Sequence, residues 1–234
     1  MKTFAIVLML LSTLNFVSCN KNATAPTPPA APSPTKASQN IVVDTTVKNS
    51  SEALNLLREG NKRFVSDNSE LVNINAERRE QLKNGQHPYA TIVSCSDSRV
   101  SPSLIFNAGL GEIFDVRLAG NVVDPDALGS IEYAVDHLHT PLIVVLGHQN
   151  CGAVTAAYDT VVKGTPAVGN MAAFIDQIKP SVNPKGSIND AINNNVDRVV
   201  KQIKEDPIIK NEIAAGKVEV LGAYYSFDGT VTFK

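Results

Sequence analysis

Apolar residues recur at helical spacing after Ser50 or Ser51. Leu54, Leu57 and Phe64 share one stripe, and the spacing predicts a helix ending near Val65. A second helix is expected over 76–83, stopped by Asn84-Gly85. The pattern then changes to short, nearly continuous apolar runs over 89–94, 113–118 and 142–146, which read as strands covered on both faces. Asp124-Pro125 opens a helix carrying Ala127, Ile131, Ala134, Val135 and Leu138, with proline in the first turn. Helical segments follow over 152–158, 171–178 and 188–203. Runs at 218–225 and 230–233 flank Asp228-Gly229 and predict a terminal hairpin. Alternating strands and helices predict an α/β fold: a mainly parallel central sheet flanked by helices. In such sheets, ligands bind beyond the carboxyl ends of strands.

The first 40 residues follow none of these patterns. Lys2 precedes a mostly apolar stretch, too short to span a membrane comfortably, that ends in Phe16-Val17-Ser18-Cys19. Residues 1–18 read as a secretion signal. The four closing residues resemble a bacterial lipobox, in which Cys19 would be acylated and become the new first residue. An ordinary cleaved signal with an incidental Cys19 is the alternative. Residues 19–40 contain Pro26, Pro28, Pro29, Pro32 and Pro34 among Ala, Thr and Ser, a composition that cannot repay ordering by burial. They read as a tether, leaving 41–234 as one globular domain outside the cytoplasm, periplasmic or on the cell surface.

Composition narrows the class. With 43% hydrophobic residues the chain can bury a core, and 21 Lys+Arg against 23 Asp+Glu leave no positive surplus for nucleic acid.

With Cys19 assigned to the lipid, Cys95 and Cys151 remain, each just beyond an apolar run. Cys95 leads Cys95-Ser96-Asp97-Ser98-Arg99, and Cys151 closes His148-Gln149-Asn150-Cys151. Thiolate and imidazole are good zinc ligands, and Zn²⁺ takes four in a tetrahedron. His148 and Cys151 sit three apart at a strand-to-helix junction. Cys95 and Asp97, two apart, project to one side of an extended segment, so Asp97 is a candidate fourth ligand. A lone buried cysteine is more often a small hydrophobe, and an exported chain could instead join the two as a disulfide. A thiol-redox role is disfavoured, since the thiols lie in separate motifs.

These motifs resemble the β-class carbonic anhydrases, zinc enzymes that hydrate carbon dioxide. The likeness takes in Gly60-Asn61-Lys62-Arg63-Phe64, Cys95–Arg99, Arg117–Asn121, Ile131-Glu132-Tyr133-Ala134-Val135, Gly147-His148 through Cys151-Gly152, and Gly222-Ala223-Tyr224. It implies a β-carbonic anhydrase-like fold with an N-terminal helical arm, one Zn²⁺ per subunit, and a homodimer or dimer of dimers. It also implies that Gln86 donates to a carbon dioxide or bicarbonate oxygen and that Phe114 and Tyr133 line the pocket, some of these from the neighbouring subunit. The Gly152 N–H would face the substrate, and His137 would relay protons; on spacing alone, Phe114 and Tyr133 read equally well as core residues and His137 as a helix-terminal histidine. Relatives with a noncatalytic bicarbonate site carry Trp three residues before the first zinc cysteine. Ile92 stands there, so no such inhibition is expected despite Arg117.

Two thiolates cancel the charge of zinc, so bound water should be less acidic than in three-histidine sites, where its pKa is about 7, and turnover should favour alkaline pH. Neighbouring groups then matter more. Arg99 can pair with Asp97. Held away from the metal, Asp97 would accept a hydrogen bond from the nucleophile; released, it would close the site. Carbonyl sulfide or carbon disulfide hydrolysis on the same scaffold, and a closed non-catalytic zinc site, are the alternatives.

Overall fold

The computed structural model describes residues 47, 49–69 and 73–234. The signal, Cys19 and the tether therefore lie outside the described residues. Helix α1 (Ser50–Val65) starts where the Asn49 side chain accepts the Glu52 N–H, and α2 (Ala76–Gln81) runs into a 3₁₀ turn, Leu82–Asn84. Then come β1 (Ala90–Ser94), α3 (Pro102–Ile105), β2 (Ile113–Arg117), α4 (Pro125–Asp136) and β3 (Leu142–His148). The chain continues as α5 (Gly152–Lys163), α6 (Met171–Ile178), α7 (Ile188–Glu205), α8 (Pro207–Ala214), β4 (Glu219–Tyr225) and β5 (Val231–Phe233). No helix among the described residues is long and apolar enough to cross a membrane.

The sheet order is β2-β1-β3-β4-β5. Its first four strands are parallel and β5 returns antiparallel, forming the expected hairpin. Both faces are covered, which explains the continuous apolar runs. Ala53 and Leu57 of α1 pack with Ile105 and Phe106 against Ile92, Leu142, Val144 and Leu146. On the other face, Ile131 and Val135 of α4 and Val196, Val199 and Ile203 of α7 cover Val93, Val116, Ile143 and Val145.

Two neighbours in α1 fix its place. An added Cβ on Gly60 would lie 1.8 Å from the Phe106 carbonyl oxygen, so only glycine allows this approach. Asn61 is buried with its amide fully used: Nδ2 donates to the Ile105 and Gly229 carbonyls (3.2 and 2.8 Å), and Oδ1 accepts the Val231 N–H (3.0 Å). Helix α1 is thus bolted to the end of α3 and to the C-terminal hairpin.

Two helices were not expected. Helices α3 and α8 are four and eight residues long, too short for apolar periodicity. The third apolar run also continues further than expected, so that His148 is the last residue of β3 rather than lying beyond it.

Candidate metal centre

Strands β1 and β3 are adjacent and parallel, with Ser94 opposite Leu146. Their carboxyl ends therefore deliver Cys95 and His148 to one place. The backbone then turns through Asn150 (φ 53°) into α5, with Cys151 as the residue before the first turn. The two sulfurs and one imidazole nitrogen lie within 4.8 Å of one another, and all three residues are buried.

The donor set fits a metal. The Sγ atoms are 4.0 Å apart, and both thiols are free. A disulfide needs about 2.05 Å, whereas two thiolates on one tetrahedral zinc stand about 3.8 Å apart. His148 Nδ1 lies 2.9 Å from the Gln149 carbonyl oxygen, which assigns Nδ1 the proton and leaves Nε2 the lone pair. That Nε2 is buried without a hydrogen-bond partner. A cation would satisfy it.

The thiols are prepared unequally. The Cys151 thiol donating to Cys95, with further help from the Gly120 N–H, holds Cys95 well below the ordinary thiol range. Facing that thiolate and buried, Cys151 is pushed up, although N–H groups at the start of α5 oppose this. Of the two, Cys95 is the readier to lose its proton. The Gly120 N–H reaches Cys95 Sγ at 3.2 Å from a left-handed conformation (φ 69°). Buried Asn195 of α7 holds that geometry by donating to the Gly120 carbonyl at 2.8 Å. A Cβ on Gly120 would meet Ile178 Cδ1 at 2.6 Å.

Asp97 stands apart from the trio, clasped by Arg99. Arg99 Nε donates to Oδ1 (2.9 Å), Nη2 to Oδ2 (2.7 Å), and the Arg99 backbone N–H also to Oδ1 (2.9 Å). These bonds, the guanidinium's first, hold the Asp97 carboxyl well below the usual carboxylate range. The folded-state pKa is depressed, so the stabilisation from this clasp is complete above the ordinary range near 3.9 and fades only as pH falls toward the depressed value. Oδ1 is saturated by two donors, whereas Oδ2 carries one and keeps an acceptor position. Arg117, at the end of β2, braces the loop by donating to the carbonyls of Asp97 (2.9 Å) and Cys95 (3.3 Å).

Other expected site residues are not gathered here within one chain. Gln86 is exposed at the amino end of β1, and Phe114 pairs in register with Thr91, about 13 Å along the strand from Cys95. Tyr133 is 46% exposed on the later half of α4, which returns toward the amino ends of the strands. It stacks on His137 with ring centroids 4.9 Å apart. His137 follows the last residue of α4 and contacts Asp136 at 3.2 Å, as a helix-terminal histidine would. Gly152 opens α5, is exposed, and a Cβ there would have no heavy atom within 4 Å. Gly120, Asn195 and Arg117 are contributors that no spacing in the sequence marks, since their partners are distant in the chain.

A doubly covered parallel sheet with a Cys-His-Cys trio at its carboxyl end, beside an Asp–Arg clasp, defines a metal-centred site of the α/β type. The comparisons agree with that geometry. The carbonic anhydrase family model matches residues 90–231. Carbonic anhydrase 2 of Mycobacterium tuberculosis is 39% identical over 178 residues, covering 74% of this chain and 86% of the relative. Among solved structures, a Coccomyxa β-carbonic anhydrase in complex with acetazolamide is similar with a TM-score of 0.60 at 27% identity, covering 77% of this chain and 85% of that one. A tetrameric β-carbonic anhydrase from Sordaria macrospora gives 0.58 at 25% identity, covering 66% and 84%. The chain belongs to the β-carbonic anhydrase family.

Proposed function

We propose that this chain uses zinc, held by Cys95, His148 and Cys151, to interconvert carbon dioxide and bicarbonate outside the cytoplasm. The carrying observation is the unpartnered, buried His148 Nε2 beside two free thiols, with Asp97 drawn off the trio by Arg99. When bound, zinc supplies the Lewis acidity that lowers the pKa of water and makes it a nucleophile. The protein's part is orientation. Oδ2 of Asp97 would accept a hydrogen bond from the attacking oxygen and so orient it toward the substrate carbon, while Arg99 would keep the carboxylate from turning to the metal. The Gly152 N–H, at a helix start, offers a donor to a substrate oxygen.

Stopped-flow hydration of carbon dioxide by zinc-quantified protein, run beside carbonyl sulfide hydrolysis, tests this. Rapid carbon dioxide turnover, rising toward alkaline pH, is expected. Faster turnover of the sulfur compound, or no hydration by zinc-replete protein, would replace the reading with a hydrolase or a non-catalytic zinc site.

The working unit is at least a homodimer in which each chain completes its partner's pocket. Gln86, Phe114 and Tyr133 lie away from their own trio, so they can serve only another copy. Beside β2, an edge strand among the described residues, a groove of about 550 Å³ is lined by Ile74, Leu104, Leu110 and Ile113, with Leu104 67% exposed. A second copy would cover it. Mixing an Asp97→Asn chain with a Gln86→Ala chain, after dissociation and reassociation, should restore roughly a quarter of native turnover, because half the random dimers hold one intact site. A mixture no better than the mean of its parents would show that each chain builds its pocket alone.

The signal-like residues 1–18 and the lipobox-like Cys19 support export and a lipid anchor, the membrane being reached through that anchor only. Cys19→Ser should move the enzyme from the membrane fraction to the soluble exported fraction; continued membrane retention would argue against acylation.

A further inference from the structure

We infer that Phe227, in the turn of the C-terminal hairpin, is a positioning residue for the Asp97–Arg99 clasp. The inference rests on the role just proposed for that clasp. Arg99 is the more exposed partner, its side chain 54% accessible against 17% for Asp97. A long, half-solvated arginine ordinarily spreads over many rotamers, and one ion pair restrains it weakly. Here the guanidinium carbon lies 4.4 Å from the centroid of the Phe227 ring. The two contacts use different parts of a planar group: its edge bonds the carboxylate, and its face meets the ring. Together they fix the plane in which both Asp97 oxygens must lie, and hence the direction of the acceptor position left on Oδ2.

The ring is itself held from the metal side. The Phe227 N–H donates to Gln149 Oε1 at 2.9 Å, with the Ser226 hydroxyl on the same oxygen at 3.3 Å. The Gln149 N–H donates to the Tyr225 carbonyl at 2.9 Å, and the Tyr225 ring meets Phe227 edge-on at 5.9 Å. Gln149 follows His148 directly, and the His148 ring lies 6.1 Å from Phe227. One turn thus references the Arg99 plane to the imidazole ligand, though these segments are far apart in sequence.

The test uses the zinc-loaded full chain and reads the Arg99 Nε–H by ¹⁵N NMR, assigned by its disappearance in Arg99→Lys. Native protein should show upfield ring-current displacement of the Arg99 side-chain protons and slow Nε–H exchange. Phe227→Leu, which keeps apolar bulk but has no ring face, should accelerate that exchange about five-fold, the order of a partly exposed cation–π contact. It should lower kcat by a similar factor with KM for carbon dioxide unchanged, and Phe227→Tyr should restore both. Exchange in Phe227→Leu equal to native, or no ring-current displacement in the native protein, would overturn the inference. Arg99→Lys separates the two ideas: undiminished turnover there would remove the clasp's catalytic role, while the exchange rates still decide whether Phe227 positions Arg99.

Discussion

Asp97→Asn should reduce carbon dioxide turnover by two orders of magnitude or more while leaving one zinc per chain. The amide is isosteric, and Asp97 lies outside the trio, so metal affinity has little reason to change. What changes is charge and acceptor count. The carboxylate takes three hydrogen bonds from Arg99 and still has an acceptor position on Oδ2. An asparagine offers one oxygen where Arg99 alone seeks two, and its NH₂ would face the guanidinium. The clasp would open, and the group that holds the nucleophile's hydrogen would become a donor or turn away. Positioned proton acceptors typically contribute 10²–10⁴-fold. Stopped-flow rates with zinc measured by mass on the same sample check this; near-native turnover at full metal content would contradict the assigned role.

Gly60→Ala should destabilise the fold by about 3 kcal/mol, lowering Tm by roughly 6–12 °C, with the site chemistry intact in whatever remains folded. The added carbon would stand 1.8 Å from a backbone oxygen, Phe106 O, which no rotamer change can relieve. Helix α1 would have to lift away, taking with it the three Asn61 hydrogen bonds that tie it to Ile105, Gly229 and Val231. Calorimetric scans of both proteins decide it, and an unchanged Tm would show that the α1–α3 contact is looser than drawn.

The parts legible in the sequence share one property: their signal is local. Strands covered on both faces announce themselves as unbroken apolar runs, and the ligands follow such runs directly. Asp97 and Arg99 are two residues apart, so their pairing can be anticipated from the segment that holds them. Helices α3 and α8 have readable openings, Ser101-Pro102 and Asp206-Pro207, of the same kind as Asp124-Pro125. They are too short for apolar periodicity to confirm. Gly120, Asn195, Gln149 and Phe227 acquire their roles from contacts that only the folded chain creates. The Gly120–Cys95 bond joins residues 25 positions apart, and the Gln149–Phe227 bond joins residues 78 apart. Gln86, Phe114 and Tyr133 are recognisable by resemblance alone, and a single chain carries them away from its own trio.

Strands β1 and β3, from which two of the three metal donors hang, are flanked on both sides by hydrogen-bonded neighbours. Such backbone is the last to open when a domain breathes. An ion seated there cannot escape through fraying of a peripheral loop. The residence time of such an ion would therefore follow rare openings of the central sheet rather than the fraying of a surface turn.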